Sequence, residues 1–482
     1  MGDADGDRFE GYVAALQKAL GHADREVPFR WYTTGLMLPL ARKSVEPIAA
    51  RVDPGRVSAA HQSLHHFVAK ADWSDEGLLA AVRARVVPLI ETRGPIDAWI
   101  VDDTGFPKKG RHSVGVARQY CGQLGKQDNC QVAVSLSVAH EQASLPIAYR
   151  LYLPKAWAED PARRTRAGVP EAIPFATKPM LALAQIEAAL AADVPRGVVL
   201  ADAGYGADMK FQAGLLERAL AYVVGVQPHA KVWLDGKEPL PAKPWSGRGR
   251  PPTNLRRTPD HQPVVAREWA IGLPREAWHD VTWREVTWRE GSKGALGARF
   301  TRVRMRPAHR DYGRHAPWPE LWLLVEWPEG APEPTKYWFA NLPADTPLER
   351  LVALAKLRWR IERDYLELKQ ELGLGHYEGR GWRGFHHHAS LCIAAYGFLV
   401  GERLATPPSA DDSGPERAGH DLPPLPAGFV PRGRRREAAT TRRQLHRHLA
   451  RSPRRPPRQP PAALSLLLAA HGDRRPCNFM TQ

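Results

Sequence analysis

Apolar positions in residues 1–92 recur at helical spacing. Phe9, Tyr12, Val13, Leu16 and Leu20 share one face, and Gly21 supplies a stop. HQSLHHFVAK (61–70) keeps that character, so a helical N-terminal domain is expected over 1–92. The pattern then shortens to strand alternation. DAWIVDD (97–103) is an apolar run ending in two acids. QVAVSLSV (131–138) puts Val132, Val134, Leu136 and Val138 on one face and Ala133, Ser135 and Ser137 on the other. LPIAYRLYL (145–153) is a third strand. Thr177 caps a helix with Pro179 in its first turn, running to about Ala192. RGVVLAD (196–202) is a strand that again ends in an acid; a helix near 207–219 and the strand AYVVGV (221–226) follow. This order predicts an α/β sheet.

Residues 228–336 break the pattern with Trp, Arg and Pro/Gly loops. REWAI, VTWREVTWRE, ARFTRVRMR and LWLLVEW read as strands of a β-rich insertion. VTWRE repeats in tandem, and its odd period sends Trp283 and Trp288 to opposite sides of a continuous strand. Thr346-Pro347-Leu348-Glu349 has the capping-box pattern and opens a long helix to Leu372, stopped by Gly373. A further helix covers about 386–403. From about 405 the chain turns Pro- and Arg-rich, which predicts a largely disordered basic tail. The divisions are therefore 1–92, 93–227, 228–336, 337–404 and 405–482.

A chain of 482 residues with net charge +16 suits a polyanionic partner, nucleic acid first among them. Cys121, Cys130, Cys392 and Cys477 form no CxxC pair, which argues against a zinc ribbon or disulfide scaffold and fits a reducing cytosol. The N-terminus has no signal-peptide pattern, and no apolar stretch reaches membrane-spanning length; 391–400 reads as a buried helix. A cytoplasmic, nucleoid-associated location is expected.

Asp103, Asp202 and Glu362 stand out as candidate chemistry. The first two end apolar strands and the third lies in the long helix. Carboxylate oxygens suit Mg²⁺, and two such ions can clamp the attacking and leaving oxygens of a phosphoryl displacement. An Asp at a strand end also serves as an ordinary turn or cap residue. Asp102 competes with Asp103, because neighbours in a strand face opposite ways; Asp103 ranks first. Arg358, Glu362, Tyr365 and Lys369 share one helix face, as a solvated ion-pair face would or as a metal ligand beside phosphate contacts would.

VDDTGFPKKG (101–110), LADAGYG (200–206) and LRWRIERDYLELKQELGLGHYEGRGW (357–382) resemble bacterial insertion-sequence transposases of the DDE class. The branch concerned places its third acid in a Y-x2-R-x3-E-x6-K pattern. Arg358, Glu362 and Lys369 match it, while Ala355 stands at the Tyr position. The resemblance covers about 8–403. It implies an RNase H-like catalytic core interrupted by a β insertion, with cleavage at element ends and strand transfer to a target. It also implies a homo-oligomer on double-stranded DNA. Asp103, Asp202 and Glu362, with Asp102 beside them, would hold two Mg²⁺ or Mn²⁺ ions. Arg358 and Lys369 would contact phosphates, and an insertion aromatic would stack on a displaced base; Trp288 or Trp283 could serve, though either reads first as a core residue.

Other signals read both ways. Lys108 and Lys109 suit phosphate contact or a solvated turn. Arg-Gly-Arg-Pro in GRGRPP (247–252) can lie in an A/T-rich minor groove, but in a Pro-rich loop it reads first as a linker. Gly204 and Gly206 match no phosphate-loop fingerprint and read as a turn. His61, His65 and His66, and His386 to His388, read as packing or surface residues rather than metal ligands. The alternatives to a transposase are an RNase H-like nuclease without strand transfer and a transposase-derived DNA-binding protein without activity.

Overall fold

The structure is a computed structural model that describes residues 3–234, 236–286 and 294–405. Trp288 and the expected basic tail from 406 onward lie outside those residues.

Helices come first: α1 (Asp3–Gln17), α2 (Glu26–Met37), α3 (Val45–Val52), α4 (Val57–Ala69) and α5 (Asp75–Glu91). Ser74 caps α5 by accepting from the Gly77 N–H at 2.9 Å, and Asp75 and Glu76 in its first turn complement the helix dipole. Then follow β1 (Ala98–Pro107), β2 (Ala117–Cys121), β3 (Lys126–Ala139), β4 (Ser144–Leu151), α6 (Lys155–Ala158), α7 (Pro161–Ala167), α8 (Lys178–Ala191), β5 (Val198–Ala201), α9 (Ala203–Gly206), α10 (Met209–Glu217) and β6 (Tyr222–Val226). The 228–336 region supplies β7 (Lys231–Leu234), β8 (Val264–Val265), α11 (Ala266–Ile271), β9 (His279–Val286), β10 (Gly294–Pro307) and β11 (Leu321–Trp327). The remaining elements are β12 (Lys336–Ala340), α12 (Leu348–Leu357), α13 (Trp359–Gln370) and α14 (Trp382–Ala405).

All the strands join one mixed sheet, ordered β2-β3-β1-β5-β6-β12-β11-β10-β7-β8, with β4 also on β3 and β9 also on β10. β1 runs antiparallel to β3 through ten pairs, and parallel to β5 only from Ala98 to Ile100. Beyond Ile100 the β5 side of β1 is therefore open. β6 pairs antiparallel with β12, so the strands of 228–336 extend the sheet that carries β1.

α14 packs against the N-terminal helices and against β4. Phe398 meets Phe9 edge-on at 5.1 Å, and the Tyr12 hydroxyl donates to Ala394 O at 2.8 Å. Residues from Phe9 to Val400 thus contribute to one continuous apolar core. Such shared burial is the main stabilising term for elements this far apart in sequence. Among the described residues, no helix is long and apolar enough to cross a membrane.

Several local expectations differ from the structure. β1 does not stop at Asp103; pairing with β3 carries it to Pro107. β3 buries its serine face as well as its valine face, because α8 and α13 cover what a half-solvated strand would expose: Gln185 donates to Val134 O, and Ser135 bonds Tyr365. REWAI is helical α11 rather than a strand; Ala266 and Ala270, four apart, are its buried pair. The long helix is two, α12 and α13, meeting at Arg358. Thr346 makes no cap there; its hydroxyl donates to Pro343 O.

Candidate active site

The open flank of β1 borders a cavity of about 750 Å³ lined by Asp102, Asp103, Asp202 and Glu362, with Lys178 and Tyr205. Four elements supply these groups. β1 carries the adjacent aspartates in mid-strand, half-buried, and both reach the cavity because β5 no longer flanks the strand there. Asp202 follows β5 directly and caps the short α9, its Oδ1 accepting from the N–H groups of Gly204 (2.8 Å) and Tyr205 (3.3 Å). The ordinary capping role is therefore real for this residue, yet it occupies one carboxylate oxygen only. Glu362 lies in the first turn of α13, where the helix dipole favours an acid. Its side chain is 64% exposed and faces solvent from the cavity rim.

Arg358 ties the two ends together. One guanidinium nitrogen donates to Asp102 Oδ2 and the other to Glu362 Oε1, each at 2.8 Å. Asp102 Oδ1 also accepts from the Asp103 N–H at 2.8 Å. Burial pushes the Asp102 carboxyl up to about 7, Asp202 and Asp103 add to that, and Arg358 with the backbone N–H works against it. Burial lowers the Arg358 pKa, but Asp102, Glu362 and Asp202 outweigh it and hold the guanidinium charged. Asp103 lines the same cavity but meets different partners. Its Oδ2 accepts from Lys178 Nζ at 2.7 Å and from the Tyr205 hydroxyl at 3.5 Å.

Of the four residues expected on one helix face, Arg358, Tyr365 and Lys369 turn toward β1, while Glu362 is largely exposed. Tyr365 bonds Ser135 Oγ at 2.7 Å and reaches Asp102 O at 3.4 Å. Lys369 Nζ donates to Gly105 O at 2.9 Å and Gln123 Oε1 at 3.2 Å, and burial pushes its pKa down to about 8. Lys108 Nζ is held by Tyr377 O at 2.8 Å, whereas Lys109 is exposed. Trp283 is half-buried in the sheet, edge-on to Phe300 at 5.7 Å with Lys356 Nζ 4.0 Å above its ring.

Lys178 and Tyr205 are the site residues that sequence reasoning passed over. Lys178 carried a signal: a cation in the first turn of a helix opposes the dipole, so a Lys directly after the Thr177 cap calls for another partner. Tyr205 carried none beyond its place in DAGYG.

The donor set is all oxygen and fits a hard divalent cation. The carboxylates stand paired with Arg358 and Lys178, and among the described residues no three His, Cys, Asp or Glu side chains gather closely enough to ligate one ion as they stand. Among the described residues the histidines make no metal cluster either. His386, His387 and His388 are buried in α14 and bonded to backbone or Tyr32.

Residues 15–295 match the family model of DDE superfamily endonucleases, more than half of the chain. The chain belongs to that family. The match contains Asp102, Asp103, Asp202 and Lys178, and ends before the helix that carries Glu362. This DDE endonuclease-family chain is also 29% identical, over 218 residues, to a probable transposase for insertion sequence element IS701 from Microchaete diplosiphon. That alignment covers 45% of this chain and 53% of the relative, so the chain spans about half the length of the relative it matches.

Proposed function

We propose that this protein is a DNA transposase that cuts the ends of an insertion sequence and joins them to a target, acting as a homo-oligomer on double-stranded DNA. One observation carries the reading: acids more than 250 positions apart, Asp103 and Glu362, border one cavity together with Asp102 and Asp202. The family and the IS701 relative support the same conclusion. The strand order β4-β3-β1-β5-β6, antiparallel and then parallel, supports an RNase H-like catalytic core. The helical 1–92 segment and the strands of 228–336 would then flank that core and help to seat DNA.

Asp103, Asp202 and Glu362, with Asp102 adjoining, would hold Mg²⁺ or Mn²⁺ in this cavity. Bound there, the ions would offset phosphate charge and lower the pKa of an attacking water. The protein's own groups prepare the site. Arg358 spans Asp102 and Glu362, keeping the α13 acid over β1 and presenting a guanidinium to a phosphate oxygen. Tyr365 fixes the α13 face through Ser135. Lys369 secures the α13 end to β1 through Gly105 O, and Lys109 is exposed for backbone contact.

The test is cleavage of a plasmid that carries the gene with its native flanking DNA. Wild-type protein with Mg²⁺ or Mn²⁺ should cut at discrete flanking sites and yield joined products. Glu362→Gln should bind the same DNA and not cut, and full cleavage by that variant would refute the site. Cuts without joined products would mean a nuclease. Salt-sensitive binding without cuts would mean a DNA-binding protein.

A further inference from the structure

The 228–336 region ties down nearly all of its described arginines. Arg256 donates to Pro241 O, Arg257 to Asp311, Arg267 to Glu333, Arg275 to Asp280, Arg302 to Thr346 O and Arg306 to Trp318 O. Arg314 lies 3.6 Å over the Trp318 ring. Arg248, Arg250 and Arg310 differ: all three are exposed, and the first two lie together on one loop.

The loop that carries them is shaped rather than slack. Gly247 and Gly249, on either side of Arg248, have φ of +82° and +72°, and a Cβ at either would meet open space. Conformation, not crowding, requires glycine there. The Trp245 indole N–H donates to Gly249 O at 3.1 Å and closes the turn, leaving the ring 55% exposed. Pro251 and Pro252 stiffen the exit. Paired hydrogen bonds between Leu240 and Arg256, both 2.9 Å, close the base, and the Leu255 N–H donates to Arg314 O at 2.9 Å.

That anchoring places the loop on segment 309–318. The segment faces α8 and α10 across a second cavity of about 590 Å³, lined by Lys210, Arg310 and Arg314 among others. Pro179 borders both this cavity and the acidic one. Lys210, Arg310 and Arg314 therefore border a cavity that adjoins the acidic one at Pro179 and the base of the loop at Arg314.

We propose that the 245–252 loop inserts Arg248 and Arg250 into the minor groove of an A/T-rich duplex beside the point of cutting. The inference rests on the DNA-cutting function proposed above. The minor groove is only about 6 Å wide, so glycines around an arginine keep the inserted element thin. A-tracts narrow the groove further and concentrate negative potential in it, which draws guanidinium groups. Cations already paired within the fold would first have to leave their partners; these two need not.

The experiment measures anisotropy of two labelled short duplexes, alike except for a central A/T tract or G/C run, titrated with the full-length protein. Wild type should bind the A/T duplex about tenfold tighter. R248A/R250A should bind both equally, with the slope of log affinity against log salt smaller by about 2, and with an unchanged melting temperature. R248K/R250K should keep the slope and lose the preference, because an ammonium lacks the planar guanidinium. A preference that survives R248A/R250A overturns the inference. So does a wild type that binds and cuts DNA with no A/T preference. A wild type that neither binds nor cuts overturns the inference and the proposed function together.

Discussion

Lys178→Met separates two roles of one ammonium group. Lys178 Nζ sits 2.7 Å from Asp103 Oδ2, with the two side chains 31% and 23% exposed. Exposed ion pairs contribute about 0–1 kcal/mol, and breaking a buried pair costs about 3–5. This half-buried pair falls between them, near 1–2 kcal/mol. A divalent ion that engages Asp103 must displace or share that ammonium, so its apparent affinity is lowered by the same amount. Removing the amine while keeping the chain length should tighten Mn²⁺ binding about tenfold, the equivalent of about 1.4 kcal/mol. DNA cleavage should fall in the same variant, because the displaced ammonium is then absent as a phosphate contact. Calorimetric titration of Mn²⁺ into DNA-free protein gives the first quantity and the plasmid assay the second. A structural role alone would weaken both. Unchanged or weaker Mn²⁺ binding by a normally melting Lys178→Met protein would refute the competition.

Two further predictions concern stability. Burial pushes His386 down to about 3 and His388 down to about 4, and both rings are satisfied as neutral groups, each accepting one hydrogen bond and donating another. Below pH 6.5 the unfolded chain takes up protons that the folded rings decline, so stability is full above that pH and is lost as pH falls. Each ring should remove about 1.4 kcal/mol per pH unit between about pH 6 and 4. The buried carboxyls of Asp102 (pushed up to about 7) and Asp364 (up to about 6) act in the opposite direction. The check is the stability difference between wild type and His388→Asn from urea midpoints, which should shrink by about 1.4 kcal/mol per pH unit as pH falls; a difference that stays constant would contradict this. Gly206→Ala would drive its Cβ into the carbonyl of Gly225, whereas at Gly204 the nearest atom is Asp202 Oδ1 at 3.1 Å. Gly206→Ala should cost about 3 kcal/mol and Gly204→Ala much less, read from urea midpoints; equal losses would count against the close packing of α9 on β6.

Regular periodicity made much of the fold legible. The strands near 131–138 and 145–153 and the α8 start at Thr177 follow directly from alternation and capping chemistry. Arrangement was less legible. Nothing in LWLLVEW says that β11 lies beside β12 and so continues the sheet of β1, because pairing partners leave no mark on a strand's own pattern. REWAI misled because five residues hold too little periodicity to separate strand from helix. At the site, acid identity and context pointed to Asp102, Asp103, Asp202 and Glu362 without geometry. Their cationic partners split: Arg358 was visible at helical spacing from Glu362, while Lys178 lies 75 positions from Asp103 and only the folded chain joins them. The three adjacent histidines read as packing or surface; burial decides for packing, with Trp73 stacked on His387 at 3.6 Å.

The dependence of the core on α14 has a consequence for the timing of synthesis. Translation adds about 5–20 residues per second, and the first helix waits for Ala394 and Glu402 to complete its contacts. The two β1 aspartates leave the ribosome tens of seconds before Glu362 does, on the order of the same rates. A nascent or prematurely terminated polypeptide therefore holds half a set of acids on an unfinished core. On the function proposed above, a partial product that lacks α13 also lacks Glu362 and so cannot complete the cutting site.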